Sequence, residues 1–416
     1  MSTLQHNSPR LHSIDAVRTL ALLLGVVFHA SLSFVPVFIG WAVMDINTSA
    51  WASGFVMIAH SFRMELFFLI AGYFSHLTYR KYGGRQFLKN RLFRLGVPLV
   101  CAWFVLRALL VSGWIMGAQS MRGEANIGNA LVAGVKSVLA GEGGWFVGTH
   151  LWFLYYLILA SVLILLLSCL ADVGGQLGRT LKQRLADFTH WCSHFPWSLI
   201  VLALPVTLCL WFMSRWGVDT PDKSLLPNWP VLALYTGFFG LGWMLNQTKQ
   251  ALGAFTQFHW RTLFIAIITS AVCLSLAPFE AQPFHPQYRW LKLAYCFSYA
   301  LMMWSLVILT MGICQRSFAT PNRVMSYLAE SAYWVYLIHL PIVVYLQVAF
   351  AELPLHWLLK LTAISVLTLL LSLLLYHAFV RNSFIGAVLN GRRQTSNKVL
   401  AESSLPKRSV SLEETR

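Results

Sequence analysis

Long unbroken apolar runs, separated by short polar segments, dominate this chain. A membrane-crossing helix needs about 20 predominantly apolar residues. Ten stretches approach or exceed that length, at 14–38, 54–79, 97–117, 149–170, 197–214, 230–246, 262–279, 291–314, 326–350 and 357–380. The pattern predicts an all-α, polytopic integral membrane protein of about ten transmembrane helices. The first run has no small-residue cleavage site and outruns a signal-peptide core, so it predicts an uncleaved helix. Beyond residue 386 the chain turns polar, basic and Ser-rich. That shift predicts a membrane domain over 1–386 and a solvated tail without a fold of its own over 387–416. No internal repeat is visible, which argues against an inverted-repeat transporter, and no appended soluble domain is expected at either end.

Composition agrees with the pattern. The chain is 57% hydrophobic and 11% charged, whereas soluble domains carry about 25% charged residues. The net charge of +16 would suit nucleic acid, but most Lys and Arg sit in short loops or in the tail, not on an aromatic-studded face. Their distribution reads as membrane orientation. With the N-terminus inside and the spans alternating, inside segments hold 21 Lys and Arg and outside segments hold 5. Both termini are therefore expected in the cytosol. The seven cysteines show no metal-ligand spacing, so neither a zinc site nor a disulfide framework is expected.

Ionisable residues inside spans are costly and usually face a cavity or a partner. On the first helix Asp15, Arg18, Leu22, Gly25 and His29 follow one face. Arg18 and His29 differ by about 20° around the axis and lie about 16 Å apart along it. In the second span His60, Arg63 and Phe67 share a face, while Glu65 points about 200° from Arg63. His150 opens the fourth span beside Trp152, and His339 lies about 20 Å along the ninth. His29, His60, His150 and His339 thus come from four helices yet fall at one depth, in the outer half, which predicts a shared site. His377 falls near the inner end of the last span and is read as structural. On the cytosolic side Arg85, Lys89, Arg91 and Arg94 cluster. Arg91 and Arg94 are spaced as two guanidinium groups on one helix face, a geometry suited to phosphate.

Several motifs then become specific together: IDAVR at 14–18, His29, HSFRMELFFLIAGYFS at 60–75, HLWFL at 150–154 and SAYWVYLIHLP at 331–341. In this order they resemble membrane acyltransferase family 3, and within it the glucan-biosynthesis branch. The resemblance implies a ten-helix enzyme of the bacterial inner membrane that takes an acyl group from cytosolic acyl-coenzyme A, with no bound cofactor or metal. The branch implies succinyl as the acyl group and osmoregulated periplasmic glucan as acceptor, with other glucan-biosynthesis proteins as further partners. It assigns His29 as the catalytic histidine, Arg18 as its companion, and Arg91 and Arg94 as the cytosolic RxxR pair. Many members carry an acidic residue where Glu65 stands.

These readings combine into one expected mechanism. Arg91, Arg94 and Arg18, with Asp15 alongside, hold the donor. His29 deprotonates a sugar hydroxyl, Glu65 or Asp15 orients it, and Arg63 or His150 stabilises the oxyanion. Trp152, His60, His339 and Tyr336 fall on the acceptor side. No Ser lies in a GxSxG context, so direct transfer is expected over an acyl-enzyme. The alternatives are an O-acetyltransferase acting on another glycan, a glycan or lipid-intermediate transporter, and a noncatalytic scaffold.

Overall fold

A computed structural model of the chain describes residues 12–390 apart from 122, 125, 143–146, 148 and 196. Among the described residues the fold is all helical. In chain order the helices are α1 (His12–Ser31), α2 (Ala50–His60), α3 (Arg63–Arg91), α4 (Val97–Ser120), α5 (Ile127–Leu139), α6 (Trp152–Val173), α7 (Gly175–His194), α8 (Ser198–Trp211), α9 (Trp229–Gln247), α10 (Lys249–Phe255), α11 (Trp260–Leu276), α12 (Tyr288–Ser317), α13 (Arg323–Phe350), α14 (Trp357–Leu375) and α15 (Phe384–Asn390). Seven helical stretches are long and apolar enough to cross a bilayer, or eight if α7 and α8 form one bent span. One of the seven runs 71 residues, Ala50–Ser120. At 1.5 Å per residue that is over three times the ~30 Å hydrocarbon core, so it comprises more than one crossing. Gly83, at φ 76 and ψ 169, breaks it. Only glycine takes that backbone without strain. Each of the ten expected stretches contains a helix.

The boundaries differ from the apolar pattern in four places. The first helix stops at Ser31 and a 3-10 turn carries it to Phe34. Pro36 holds the preceding Val35 extended, at ψ 130, so residues 35–38 leave the expected span. The second stretch is two helices, because Ser61 and Phe62 form a turn between α2 and α3. A π-helical turn, Leu92–Gly96, separates Arg91 from α4, so Arg91 and Arg94 do not share one regular α-helical face. Residues 387–390, given to the tail by composition, belong to α15, where Val388 and Leu389 are buried. The rest of the tail, with Arg10 and Arg122 from the charge count, lies outside the described residues.

Helix α1 packs against α3, α12, α13 and α14. Helices α3 and α9 approach closely through small residues. A Cβ on Gly72 would collide with the Phe239 carbonyl, and one on Gly242 with the Leu69 carbonyl. Such small-residue contacts let backbones meet where lipid supplies no hydrophobic drive between helices. The loop after α1 is tied down by a buried ion pair. Lys360 Nζ on α14 lies 2.8 and 3.0 Å from the two Asp45 oxygens, and Lys360 is 0% exposed.

Candidate active site

A cavity of about 2520 Å³ runs along α1, lined by Asp15 and Arg18 near its start and His29 in its last turn. Arg63, Phe67, Arg91, Arg94, His150, Trp152, Tyr336 and His339 also line it, as do Trp41, His60 and the loop residues Asp219, Thr220 and Asp222. It therefore reaches from the basic cluster past Arg18 to the histidines, with Arg18 and His29 about 16 Å apart along α1.

The four depth-matched histidines come together. The His29 and His339 rings are 5.3 Å apart and the His150 and His339 rings 5.9 Å. His60 lies 5.6 Å from the Phe28 ring. Three of the four are already engaged. His339 Nδ1 donates to the Tyr336 carbonyl at 2.7 Å, and His60 Nε2 pairs with Thr220 Oγ1 at 3.0 Å. His150 Nε2 donates to the Leu337 carbonyl at 2.9 Å. The Leu337 carbonyl is free to accept because Pro341 sits inside α13 and has no amide to give the carbonyl four residues back. Tyr336 completes the clamp by donating its hydroxyl to the His150 carbonyl at 2.7 Å. The preceding Thr149 adopts φ 48, a strained conformation costing roughly 1–3 kcal/mol.

His29 differs from the other three. Among the described residues neither of its ring nitrogens has a hydrogen-bond partner, and its Nδ1 is buried. The ring stacks on Trp41 at 5.9 Å with 18° between planes. Gln347 on α13 fixes this pair. Its amide donates to the His29 and Ala30 carbonyls at 2.9 and 3.0 Å, and its oxygen accepts from Trp41 Nε1 at 2.8 Å. The imidazole is thus held from behind and left open toward the cavity.

The other expected residues divide. Arg18 donates to the Ala329 carbonyl. Arg91 donates to Ser75 Oγ, while Arg94 is exposed and gives its carbonyl to the Tyr333 hydroxyl at 2.7 Å. Arg63 packs over the Phe28 ring at 4.1 Å. Glu65 is 0% exposed and does not line the cavity, and neither carboxylate oxygen meets a donor from another residue. It therefore cannot orient His29 in this structure. Trp152 is 7% exposed and stacked on Tyr235 at 5.6 Å, so one face is closed to a sugar ring. His377 is exposed and off the cavity. In the loop, burial raises the Asp222 carboxyl above its ordinary range. No group of three or more His, Cys, Asp or Glu among the described residues is arranged to hold a metal ion.

Sequence reasoning missed Trp41, Gln347 and the 214–224 loop. Gln347 carried a signal, an amide inside an apolar span, where polar groups find partners. Trp41 carried none, since its position depends on contacts with α13 and α4.

Among the described residues the helices thus enclose a cavity that joins a basic cluster to an unengaged histidine, the parts that acyl transfer to a hydroxyl requires. The chain belongs to the acyltransferase 3 family, whose model, described as an acyltransferase domain, matches residues 11–377. It is similar to glucans biosynthesis protein C of Escherichia coli strain K12, with 34% identity over 155 residues, covering 37% of this chain and 38% of that protein. The same protein from Escherichia coli O1:K1 / APEC matches at 34% over the same lengths. The matched region thus spans well under half of these relatives. No solved structure matches the chain.

Proposed function

We propose that this protein transfers an acyl group, succinyl in the first instance, from cytosolic acyl-coenzyme A to a hydroxyl of a periplasmic glucan across the bacterial inner membrane. The observation that carries the reading is His29, unengaged at both ring nitrogens on the wall of a cavity that also holds Arg18, Arg91 and Arg94. The 21-to-5 basic asymmetry supports placing the arginine end in the cytosol. The name of the relatives supports glucan as acceptor.

In this mechanism Arg91 and Arg94 take phosphates of the donor, and Arg18 steadies the arm on its way toward His29. His29 removes the proton from a sugar hydroxyl as that oxygen attacks the thioester carbonyl. The tetrahedral intermediate collapses by breaking the carbon–sulfur bond, and the proton on His29 passes to the departing thiolate. The products are an acylated sugar and free coenzyme A. His150 in its neutral form cannot stabilise the oxyanion, because its one N–H is committed to Leu337. Trp41, half-buried and stacked on His29, offers an aromatic surface to the acceptor sugar.

Purified protein incubated with succinyl-coenzyme A and periplasmic glucan should release free thiol and raise the glucan mass by one succinyl group per transfer. Glucan movement across proteoliposomes without thioester cleavage would replace this reading with the transporter.

A further inference from the structure

Among the described residues, the other buried or half-buried arginines on the cavity wall find a hydrogen-bond partner. Arg18 donates to the Ala329 carbonyl, Arg91 to Ser75 Oγ and Arg107 to the Glu142 carbonyl. Arg63 breaks the pattern. It is 7% exposed and lines the cavity, yet it makes no hydrogen bond or ion pair among the described residues, and its Nη1 is buried without an acceptor. The nearest acidic side chain along the helix, Glu65, does not come within ion-pair distance. Arg63 also opens α3, where the capping position is Phe62 and supplies no side-chain acceptor. A helix N-terminus carries partial positive charge, and Glu65 in the same first turn offsets part of it without pairing with the guanidinium.

Resting on the acyl-transfer reading, we propose that Arg63 selects an acyl chain that ends in a carboxylate, by pairing its guanidinium with that carboxylate inside the cavity. The stem of Arg63 lies against Gly25, one turn before His29 on α1: a Cβ built there would sit 3.7 Å from Cδ and 3.8 Å from Nη1. The Phe28 ring is shared, with the guanidinium carbon 4.1 Å from its centre and the His29 ring 5.0 Å from it. A succinyl chain places its free carboxylate about 4 Å beyond the thioester carbon, three carbon–carbon bonds away. A fork of N–H donors then meets it at about 2.7–2.9 Å. The chain length, the position one turn from the base and the missing counter-ion agree. A neutral acyl chain of the same length would leave the buried guanidinium as unpaired as it stands now.

Succinyl- and butyryl-coenzyme A differ only in that terminal group, so the ratio of their kcat/KM values isolates it. The wild-type protein should favour succinyl. Arg63→Met and Arg63→Gln should lower the succinyl-to-butyryl ratio by roughly 30-fold or more, the usual cost of deleting one partner of a buried hydrogen-bonded pair. Arg63→Lys should fall between. An unchanged ratio, with both donors slowed equally, would overturn the proposal and make Arg63 an oxyanion donor; a wild-type preference for butyryl would also overturn it. Thermal unfolding in detergent supplies a separate check. Arg63 has no hydrogen bond or ion pair to lose, only its packing over Phe28, so Arg63→Met should unfold close to wild type, and a large drop would mark a structural role instead. Failure of wild-type protein to transfer either chain would sink the acyl-transfer reading itself, a result distinct from an unchanged ratio.

Discussion

The Gln347 side-chain amide donates to the His29 backbone carbonyl at 2.9 Å, joining α13 to the last turn of α1 across more than 300 residues of chain. Because Gln347 also accepts from Trp41, one amide sets both the height of the imidazole and the ring stacked on it. Gln347 is 1% exposed, so water cannot replace it. We expect Gln347→Leu to lower kcat by about 10–100-fold, the scale of a small misplacement of a reacting group, while the donor KM changes little. Gln347→Glu separates the two bonds, since it still accepts from Trp41 but sets an acceptor against the two carbonyls. Activity recovered in Gln347→Glu would show that only the Trp41 contact matters.

The basic end of the cavity gives a prediction of opposite form. Arg91 is anchored by Ser75, whereas Arg94 is exposed within the π-helical turn. Removing charge-assisted bonds to phosphate typically costs about 1.5–3 kcal/mol each. Arg91→Ala with Arg94→Ala should therefore raise the apparent KM for acyl-coenzyme A by 10-fold or more and leave the glucan KM near wild type. Steady-state kinetics in detergent decides it. Equal effects on both substrates would reduce the pair to orientation signals.

Helices and histidines were legible for one reason: lipid penalises every polar group at depth. Ten apolar runs could be marked because a bilayer demands about 20 such residues in a row, and His29, His60, His150 and His339 stood out because each interrupts one. Helix periodicity also separated Arg63 from Glu65, and only Arg63 reaches the cavity. What stayed hidden were contacts between distant segments. Nothing local in the chain pairs Gln347 with Trp41, or the Leu337 carbonyl with His150. The Ser61–Phe62 turn was also invisible, because the apolar run continues through it while the backbone does not.

The Asp45–Lys360 pair tests how the loop carrying Trp41 is held. Both residues are almost wholly buried, and Lys360 also donates to the Ala351 carbonyl at 3.2 Å. Breaking a buried pair by removing one partner costs about 3–5 kcal/mol, whereas replacing both with apolar groups is often neutral. Lys360→Met should thus lower the unfolding temperature clearly, and adding Asp45→Leu should restore much of it. A single variant as stable as wild type would mean that Asp45 finds water or another donor, and the loop would lose its anchor as an explanation for Trp41.

His29 bears the most direct test. Its two ring nitrogens are unengaged, so His29→Ala removes no hydrogen bond from the folded protein and should accumulate in the membrane at wild-type levels. It deletes only packing against Trp41, Phe28 and His339. Loss of a general base typically lowers rate by about 10²–10⁴-fold. We therefore expect an abundant, stable protein with glucan acylation reduced by that factor. His377→Ala, exposed and away from the cavity, is the matched control and should keep most of its activity. Abundance, thermal stability and acylation are measured together for both variants. If His29→Ala were well expressed and acylated glucan at near wild-type rate, His29 would not be the base. The assignment would then pass to His150, whose Nδ1 is also unpartnered. Substituting His150 would also cut the Leu337 bond, so its loss of activity would come with a loss of stability, which is the signature that separates the two histidines.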